Sequence, residues 1–337
     1  MKTLTYSSTS SFKNCRKKYQ FSYIDKITPK QSPLYFTVGG AVHLGLELHY
    51  SGNDYTTCID AITSYMYERE PSSDDIDGMA KFEKALLLVQ KMFSRYIEHY
   101  SHEPFEIVEV EKEFTVPIIN PETGHASRNF QLMGKVDGII KENGKYWILE
   151  HKTASTIDNN YIKALTMDTQ SLCYLEAIQR DMGIQIQGIL YNVLLKDFPK
   201  PPKVLKSGKL STASNQKTSP ELFMESIDSL GLDKDDYIDY IEFLVENRKQ
   251  YFYREYLTFS KKHIDEWRNE IWDLQKDISN AKNKDMYYKN SANCVSVYGS
   301  CPYFDICSSL DEQAVIDQSF IVKESAHEEL ETEKTPF

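Results

Sequence analysis

Long apolar runs are missing from this 337-residue sequence, and their absence sets the first limits on its function. A membrane-spanning helix needs about 20 consecutive apolar residues, and no stretch of the chain approaches that length. The segment Met1–Ser11 is polar and has neither the charged nor the apolar region of a secretory signal. The sequence therefore favours a protein that acts in the cytoplasm without membrane contact.

A phosphate-binding loop of the form G-x-x-x-x-G-K-[ST] is also missing, which excludes a helicase motor of that class within this sequence. Any partner motor is expected to be a separate chain. No internal repeat is visible either, so a solenoid or propeller is not expected.

Cysteine is scarce, with six residues, and in a reducing compartment thiols are more often ligands or core residues than disulfides. Three of them, Cys294, Cys301 and Cys307, fall within fourteen residues, a density that predicts a soft-metal site. Such a site needs a fourth ligand. The remaining thiols are Cys15, Cys58 and Cys173. Spacing alone selects neither the fourth ligand nor the metal, which could be zinc or iron–sulfur, and three unrelated thiols are the alternative.

The net charge of −11 is unevenly distributed. Residues 309–337 contain eight acidic residues and two lysines, and the end of this segment, residues 318–337, is predicted to be a disordered tail. Residues 196–217 contain six lysines and one aspartate. Because residues 196–219 are rich in Pro, Lys and Ser, they are predicted to be a flexible loop, either a solvated linker or a clamp on phosphates. The lysines proposed to contact DNA are Lys200, Lys203, Lys206 and Lys209.

The segment Gly134–Lys152 has the strongest local signal in the sequence. Two apolar runs rich in β-forming residues, Val136–Ile140 and Tyr146–Leu149, flank the dipeptide Asn143-Gly144. Asn-Gly between such runs is typical of a two-residue hairpin turn. The segment therefore predicts two antiparallel strands with a defined register.

That register brings acidic residues together. With Glu142 opposite Lys145, counting back along the strands places Asp137 directly opposite Glu150, and Lys152 points to the same face as Glu150. Carboxylates at this separation of about 5 Å repel each other, and a hard divalent cation between them removes the repulsion. The pattern predicts a Mg²⁺ or Mn²⁺ site with an ammonium group beside it. An exposed hairpin face with scattered charges is the alternative.

The arrangement Asp137…Glu150-x-Lys152 resembles the PD-(D/E)XK nuclease superfamily. More narrowly, it is similar to the RecB-like branch, which includes AddB nuclease domains, CRISPR-associated adaptation nucleases and phage exonucleases. Each motif alone is weak, because E-x-K is common by chance. Five motifs in the correct order, between about residues 5 and 310, form a strong signal.

Three further motifs carry the resemblance. Gly39-x-x-x-His43 is similar to a helical motif whose histidine binds metal in this branch. Gln170-x-x-x-Tyr174 is similar to the Q-x-x-x-Y motif that follows the E-x-K strand. Cys15, in S-S-F-x-x-C-x-x-x-Y, resembles the N-terminal cysteine of the iron–sulfur subgroup.

The resemblance implies that the three C-terminal cysteines supply the other ligands of a 4Fe-4S cluster, with Zn²⁺ as the alternative metal. Its iron–sulfur ligands would be Cys15, Cys294, Cys301 and Cys307. Six residues lie between Cys294 and Cys301, whereas several relatives have two between the first pair. The geometry of this cluster is therefore expected to depart from that of those relatives.

The fold implied by the resemblance is α/β, with a central mixed β-sheet flanked by helices in a restriction-endonuclease-like core. The core would occupy about residues 100–195 of a single RecB-like nuclease domain, residues 1–310. Helical parts before and after the core would be joined by the cysteine cluster, which acts as a staple between the termini.

The function implied is that of a metal-dependent DNA nuclease, an exonuclease acting on DNA ends or single strands in recombination, repair or phage DNA processing. Its setting would be a prokaryotic or phage-infected cell. The expected ligands of Mg²⁺ or Mn²⁺ are His43, Asp137, Glu150 and the backbone carbonyl of His151. Lys152 would orient the attacking water or stabilise developing negative charge. Gln170 and Tyr174 would line the site and contact the substrate.

Two other functions fit parts of the sequence. The first is a non-catalytic DNA-binding or assembly subunit that keeps the nuclease fold, and the complete Asp/Glu/Lys set speaks against it. The second is a zinc-stapled helical protein with no role on DNA, and the hairpin register and the basic loop speak against that. DNA is the expected partner, and a separate helicase or recombination protein is a candidate partner.

Overall fold

The computed structural model describes residues 1–31, 33–247, 249–296, 299–327 and 330. Its strands are β1 (Lys2–Leu4), β2 (Ile27–Pro29), β3 (Glu106–Ile119), β4 (Ala126–Glu142), β5 (Lys145–Ala154), β6 (Ile186–Leu195), β7 (Phe252–Leu257), β8 (Val295–Ser296), β9 (Gly299–Ser300) and β10 (Phe320–Val322). Its α-helices are α1 (Tyr6–Asn14), α2 (Arg16–Tyr19), α3 (Leu34–Tyr50), α4 (Tyr55–Tyr67), α5 (Ile76–His99), α6 (Asn159–Leu165), α7 (Thr169–Met182), α8 (Pro220–Leu230), α9 (Ile238–Glu246), α10 (Lys261–Asn283), α11 (Phe304–Ser308) and α12 (Glu312–Ser319). Short helical turns of other types cover Gln20–Ile24, Lys234–Tyr237 and Ser291–Asn293.

A mixed β-sheet forms the centre of the described structure. Its strands run in the order β1-β4-β5-β6-β7, and β3 also pairs with β4. Strand β4 is antiparallel to both β3 and β5, β5 and β6 are parallel, and β7 returns antiparallel to β6. The apolar run of β6 is almost wholly buried, as expected for a strand covered on both faces. The predicted mixed sheet flanked by helices is confirmed.

Two helical layers cover the sheet. On one side, α1, α7 and α10 contribute side chains such as Phe12, Ile178 and Ile271 to a core that includes sheet residues Val136 and Tyr191. A second core packs α3, α4 and α5 together and reaches the end of β6 at Leu194. Burial of this apolar surface is the main favourable term that holds the layers together.

The basic segment 196–219 lies between β6 and α8. It is irregular apart from an isolated bridge between Val204 and Leu210. Leu210 is buried with Phe223 and Tyr237 in a small core formed with α8 and α9. The flexibility predicted for this segment stays a prediction.

The two ends of the chain meet in a small sheet. Strand β10 pairs antiparallel with β2, with Phe320 opposite Pro29. Phe320 is buried in a cluster with Phe21, Ile27, Tyr303 and Ile306. The prediction of disorder is therefore wrong for residues 318–322, because one apolar anchor offsets the acidic composition around it. Of the predicted tail, residues 328, 329 and 331–337 lie outside the described residues.

Among the helices of the described residues, none combines the length and the apolar character that a bilayer crossing requires.

Candidate active site

The hairpin of β4 and β5 positions the acidic pair. Asn143 and Gly144 both have positive φ, 49° and 77°, as a tight two-residue turn of this type requires. The register runs from Glu142 opposite Lys145 to Gly138 opposite Leu149. Asp137 and Glu150 lie one residue beyond the last of these pairs, and their direct pairing stays a prediction.

Asp137 is held by two donors at the base of the hairpin. Its Oδ2 accepts a hydrogen bond of 2.6 Å from the backbone N–H of His151, and its Oδ1 lies 3.2 Å from Nδ1 of His43. Burial alone would raise the pKa of Asp137, but the His43 ring and the His151 N–H outweigh it and hold this pKa well below its ordinary value. Asp137 is therefore a carboxylate at neutral pH.

Glu150 has a different environment. It is buried, and the ammonium Nζ of Lys152 donates to its Oε1 at 2.9 Å. Burial raises the pKa of Glu150 to about 7, and the negative charge of Asp137 acts in the same direction against the lowering effect of Lys152. A cation close to this pair would lower that pKa again.

Lys152 also contacts α7. Its Nζ donates to Oε1 of Gln170, and Nε2 of Gln170 donates to the hydroxyl of Tyr174 at 2.8 Å. Because the tyrosine hydroxyl accepts this bond, the amide is oriented with its oxygen toward the lysine. The structure thus brings Glu150, Lys152, Gln170 and Tyr174 into one connected set.

Asp168 anchors the start of α7 and was not identified from the sequence. Its Oδ1 accepts a bond of 2.9 Å from the backbone N–H of Gln170, as an N-cap does, and its Oδ2 accepts from the Tyr191 hydroxyl at 3.0 Å. The sequence signal that could have found it is an aspartate two residues before the helical Q-x-x-x-Y motif.

His43 reaches the site from α3. Gly39, one turn earlier, lies against the end of β5, where an added Cβ would be 3.6 Å from Oγ1 of Thr153. Helix α3 thus contacts the end of β5 here, and a Cβ at this position would make only an ordinary contact. The ring of His43 is placed against Asp137 as a result.

A second acidic group lies beside the site and also went undetected in the sequence. Glu111 has φ of 52° on β3 and forms an ion pair with Lys135. Burial raises the pKa of Glu111 to about 7, and the negative charges of Asp137 and Glu47 contribute. No motif marks Glu111, because its place depends on the long-range pairing of β3 with β4 and on a left-handed backbone residue.

The side chain of His151 is buried within a polar network. Its Nδ1 accepts a bond of 2.8 Å from Nδ2 of Asn192, and its ring stacks on Tyr50 with centroids 5.6 Å apart. Burial lowers the pKa of His151 to about 3, so the ring is neutral. Arg254 donates to Oδ1 of Asn192 and pairs with both oxygens of Glu103. The structure brings His151 next to Asp137 through its backbone N–H, and its carbonyl remains a predicted ligand.

The four cysteines assigned to the cluster line one cavity of about 310 Å³. Those residues are Cys15, Cys294, Cys301 and Cys307. Cys15 lies in extended backbone between α1 and α2, and its sulfur accepts from the backbone N–H of Asn290 at 3.4 Å. Burial raises the pKa of the Cys307 thiol, and the other three cysteines add to the effect. Cys58 and Cys173 are buried elsewhere, in α4 and α7.

The four lysines predicted to contact DNA are all exposed. Lys209 forms an ion pair of 3.2 Å with Asp236. The segment begins beside the catalytic strand, because the backbone N–H of Lys196 donates to the carbonyl of Ala154 at 2.7 Å.

The donor types at the site, the carboxylates of Asp137 and Glu150 and the imidazole of His43, are ones that suit a hard divalent cation. Across the described residues, however, no group of three or more His, Cys, Asp or Glu side chains is arranged to hold a metal ion. At the acidic pair the reason is visible. His43 is hydrogen-bonded to Asp137, and Glu150 is bonded to Lys152, so protein donors use the oxygens that a cation would bind.

Comparison with known proteins gives one strong result. A family model described as the PD-(D/E)XK nuclease superfamily matches residues 3–308. No curated protein matches the sequence. Among solved structures, one described as the crystal structure of SSO0001 is 17% identical, with a TM-score of 0.21. The match covers 46% of this chain and spans 59% of the length of that one. At that TM-score the likeness supports no conclusion about this chain.

Proposed function

Because the chain belongs to the PD-(D/E)XK nuclease superfamily, we propose that it hydrolyses DNA phosphodiesters with the help of Mg²⁺ or Mn²⁺. We further propose an exonuclease that acts on ends or single strands during recombination, repair or phage DNA processing. The single observation behind the proposal is the contact of Lys152 with Glu150, next to the Asp137–His43 pair. These contacts join residues of three separate elements, α3, β4 and β5.

His43, Asp137 and Glu150, with the His151 carbonyl, are the residues that would hold the cation. When bound, a divalent cation supplies positive charge at the scissile phosphate and lowers the pKa of a coordinated water. Asp137 contributes a permanent negative charge, because its pKa is held low by His43 and His151. Burial raises the pKa of Glu150 to about 7 even with Lys152 beside it, so a bound divalent cation would keep this carboxylate ionised at neutral pH.

Lys152 would act on the negative charge that develops at the phosphate. The charge of Glu150 outweighs burial and raises the pKa of Lys152 above its ordinary value, so the ammonium is charged at any working pH. Gln170 and Tyr174 would hold the ammonium in place and line the path of the substrate strand, a role that their hydrogen bonds support.

Further contacts with DNA would come from the basic segment. Lys200, Lys203, Lys206 and Lys209 are exposed and would meet phosphates without reading sequence. Such contacts make affinity fall steeply with salt. A single nuclease domain spanning residues 1–310 agrees with the range of the family match.

We also propose a 4Fe-4S cluster, with Zn²⁺ as the alternative, on Cys15, Cys294, Cys301 and Cys307. The four thiols line one cavity, but among the described residues no three of them are arranged to hold a metal ion. The site would join segments about 280 residues apart, and a clip that closes a long loop stabilises more than one that closes a short loop.

The nuclease assignment is tested with end-labelled single- and double-stranded DNA in Mn²⁺, Mg²⁺ or EDTA. We expect metal-dependent cleavage by the wild type and its loss in Asp137→Ala and Lys152→Ala, with circular dichroism unchanged. Lys145→Ala, at the turn of the same hairpin, is the matched control and should cleave normally. Full activity in either site variant removes the assignment. DNA binding without any cleavage by the wild type would favour the non-catalytic subunit instead.

A further inference from the structure

Two aromatic side chains at the start of α3 are exposed side by side. Tyr35 and Phe36 are 52% and 59% exposed, and their ring centroids are 4.4 Å apart. The rest of α3 is largely apolar and contributes Val42 and Leu46 to the second core. Exposed aromatic rings next to each other are costly in water unless a partner covers them.

This aromatic pair lies on the helix that carries His43. Phe36 is seven residues before His43 on α3, so the two share a helical face about 10 Å apart along the axis. The next turn of the helix touches the end of β5 through Gly39 and Thr153. Phe36 is therefore about three stacked nucleotides from His43 along the helix axis, and Tyr35 also lines the cavity of the four cysteines.

The ammonium group of Lys196 lies beside the two rings. Lys196, the first residue after β6, donates from Nζ to the carbonyl of Tyr35 at 3.4 Å, and this Nζ lies 6.0 Å from the Tyr35 ring centroid. Aromatic faces flanked by basic side chains are the elements with which proteins bind single strands without reading sequence. A single strand that binds here would contact the two aromatic rings and the Lys196 ammonium together.

We propose that Tyr35 and Phe36 form a stacking platform for an unpaired base of a DNA strand bound at the candidate site, and that Lys196 contacts its phosphate. This inference rests on the proposed nuclease function and names the part of the substrate that this surface binds. A paired base within a duplex does not expose its face, so the platform selects single strands and frayed ends over the duplex interior.

The test measures binding of a fluorescent oligothymidylate, and of a blunt duplex of the same length, in EDTA by anisotropy. KM and kcat for the single strand are measured in Mn²⁺. We expect the variant Tyr35→Ala/Phe36→Ala to bind the single strand roughly 5- to 150-fold more weakly, with duplex affinity changed less than about twofold. KM should rise while kcat stays near that of the wild type. Lys196→Ala should reduce the salt slope of single-strand binding by about 0.7.

Matched variants separate aromatic base stacking from general hydrophobic contact. Tyr35→Phe/Phe36→Tyr keeps both rings and should bind as the wild type does, whereas Tyr35→Leu/Phe36→Leu should bind as weakly as the alanine variant. Tyr67→Ala removes an equally exposed ring from the end of α4 and should change nothing.

Normal cleavage and binding by the alanine or leucine variants would overturn the platform and leave the nuclease standing. A wild type that neither binds nor cleaves DNA would remove both proposals.

Discussion

Lys152 donates a hydrogen bond from Nζ to the side-chain oxygen of Gln170, joining the end of β5 to the first turn of α7. The same ammonium bonds to Glu150, so two acceptors on different elements fix its direction. The Tyr174 hydroxyl fixes the amide in turn. Under the proposed function, these contacts would orient Lys152 before a substrate binds, and such preorganisation is a main source of electrostatic catalysis.

Replacing Gln170 with Leu should lower kcat because Lys152 loses one of the two contacts that aim it. A hydrogen bond to a charged group contributes about 1.5–3 kcal/mol, so a fall of roughly tenfold or more is expected, with a smaller change in KM. Tyr174→Phe leaves the Gln170 oxygen in place and should have a milder effect. Steady-state kinetics on end-labelled DNA measure both, and a Gln170→Leu enzyme with wild-type kcat would contradict this role.

Glu111 predicts a pH dependence of stability. Its pKa is about 7 in the folded protein and about 4.5 when unfolded, so between these values the folded state binds an extra proton. Stability contributed by this group therefore falls as pH rises from 4.5 to 7, by up to about 3 kcal/mol. The glutamine of Glu111→Gln does not titrate. The free energy of unfolding of this variant should therefore increase relative to that of the wild type as the pH rises from 4.5 to 7.

The measurement is urea unfolding in EDTA at pH 5 and at pH 8. Glu113→Gln, an exposed position on the same strand, is the control and should track the wild type at both values. A constant difference between Glu111→Gln and the wild type across this range would show that Glu111 does not titrate there.

The central hairpin could be predicted because its signals are local. Asn143-Gly144 specifies the turn, and once the turn is fixed the register as far as Gly138 opposite Leu149 follows by counting. The helical motif around His43 and the one around Gln170 are short-range patterns as well. All of these signals lie within a few residues of the side chains that they locate.

The surroundings of the site could not be predicted, because they depend on contacts between distant segments. Glu111 reaches Asp137 only through the pairing of β3 with β4. The His151 network joins Glu103, Asn192 and Arg254, and no spacing rule links residues so far apart. The segment around Phe320 is a case of the opposite kind. Its acidic composition predicts disorder, whereas the structure buries the Phe320 ring in β10.

Arg254 and Glu103 form a nearly buried ion pair whose loss should be costly. Arg254 also donates to the hydroxyls of Tyr50 and Tyr96 and to Asn192, so Arg254→Met removes several hydrogen bonds in addition to the ion pair. Removing one member of a buried pair costs about 3–5 kcal/mol. The double variant Arg254→Met/Glu103→Leu should be less destabilised than Arg254→Met, because it no longer buries an unpaired carboxylate.

Urea unfolding of the wild type, both single variants and the double variant completes this cycle. Lys81→Ala, which breaks the exposed Lys81–Asp77 pair on α5, should leave the unfolding midpoint unchanged. Equal and additive losses in the cycle would show that the two residues act independently of one another.

The cysteine cavity makes a prediction about metal content. If the four thiols hold an iron–sulfur cluster, protein purified without oxygen should contain iron and absorb visible light, and Cys15→Ser or Cys301→Ser should lose both properties. Cys58→Ser is the matched control, because Cys58 on α4 is buried in the second hydrophobic core and does not line the cavity. It should be less stable than the wild type but keep its metal.

Chelation should then loosen the termini before the sheet. The cluster would tie Cys15 to Cys294 and Cys307, while the sheet has its own apolar core, so hydrogen exchange should accelerate first around α2 and α11. Protein that contains zinc but no iron, and that does not absorb visible light, would keep the proposed four-cysteine site with zinc as its metal. Metal-free protein with native exchange rates at both termini would show that hydrophobic contacts such as Phe21 with Tyr303 hold the two ends together unaided.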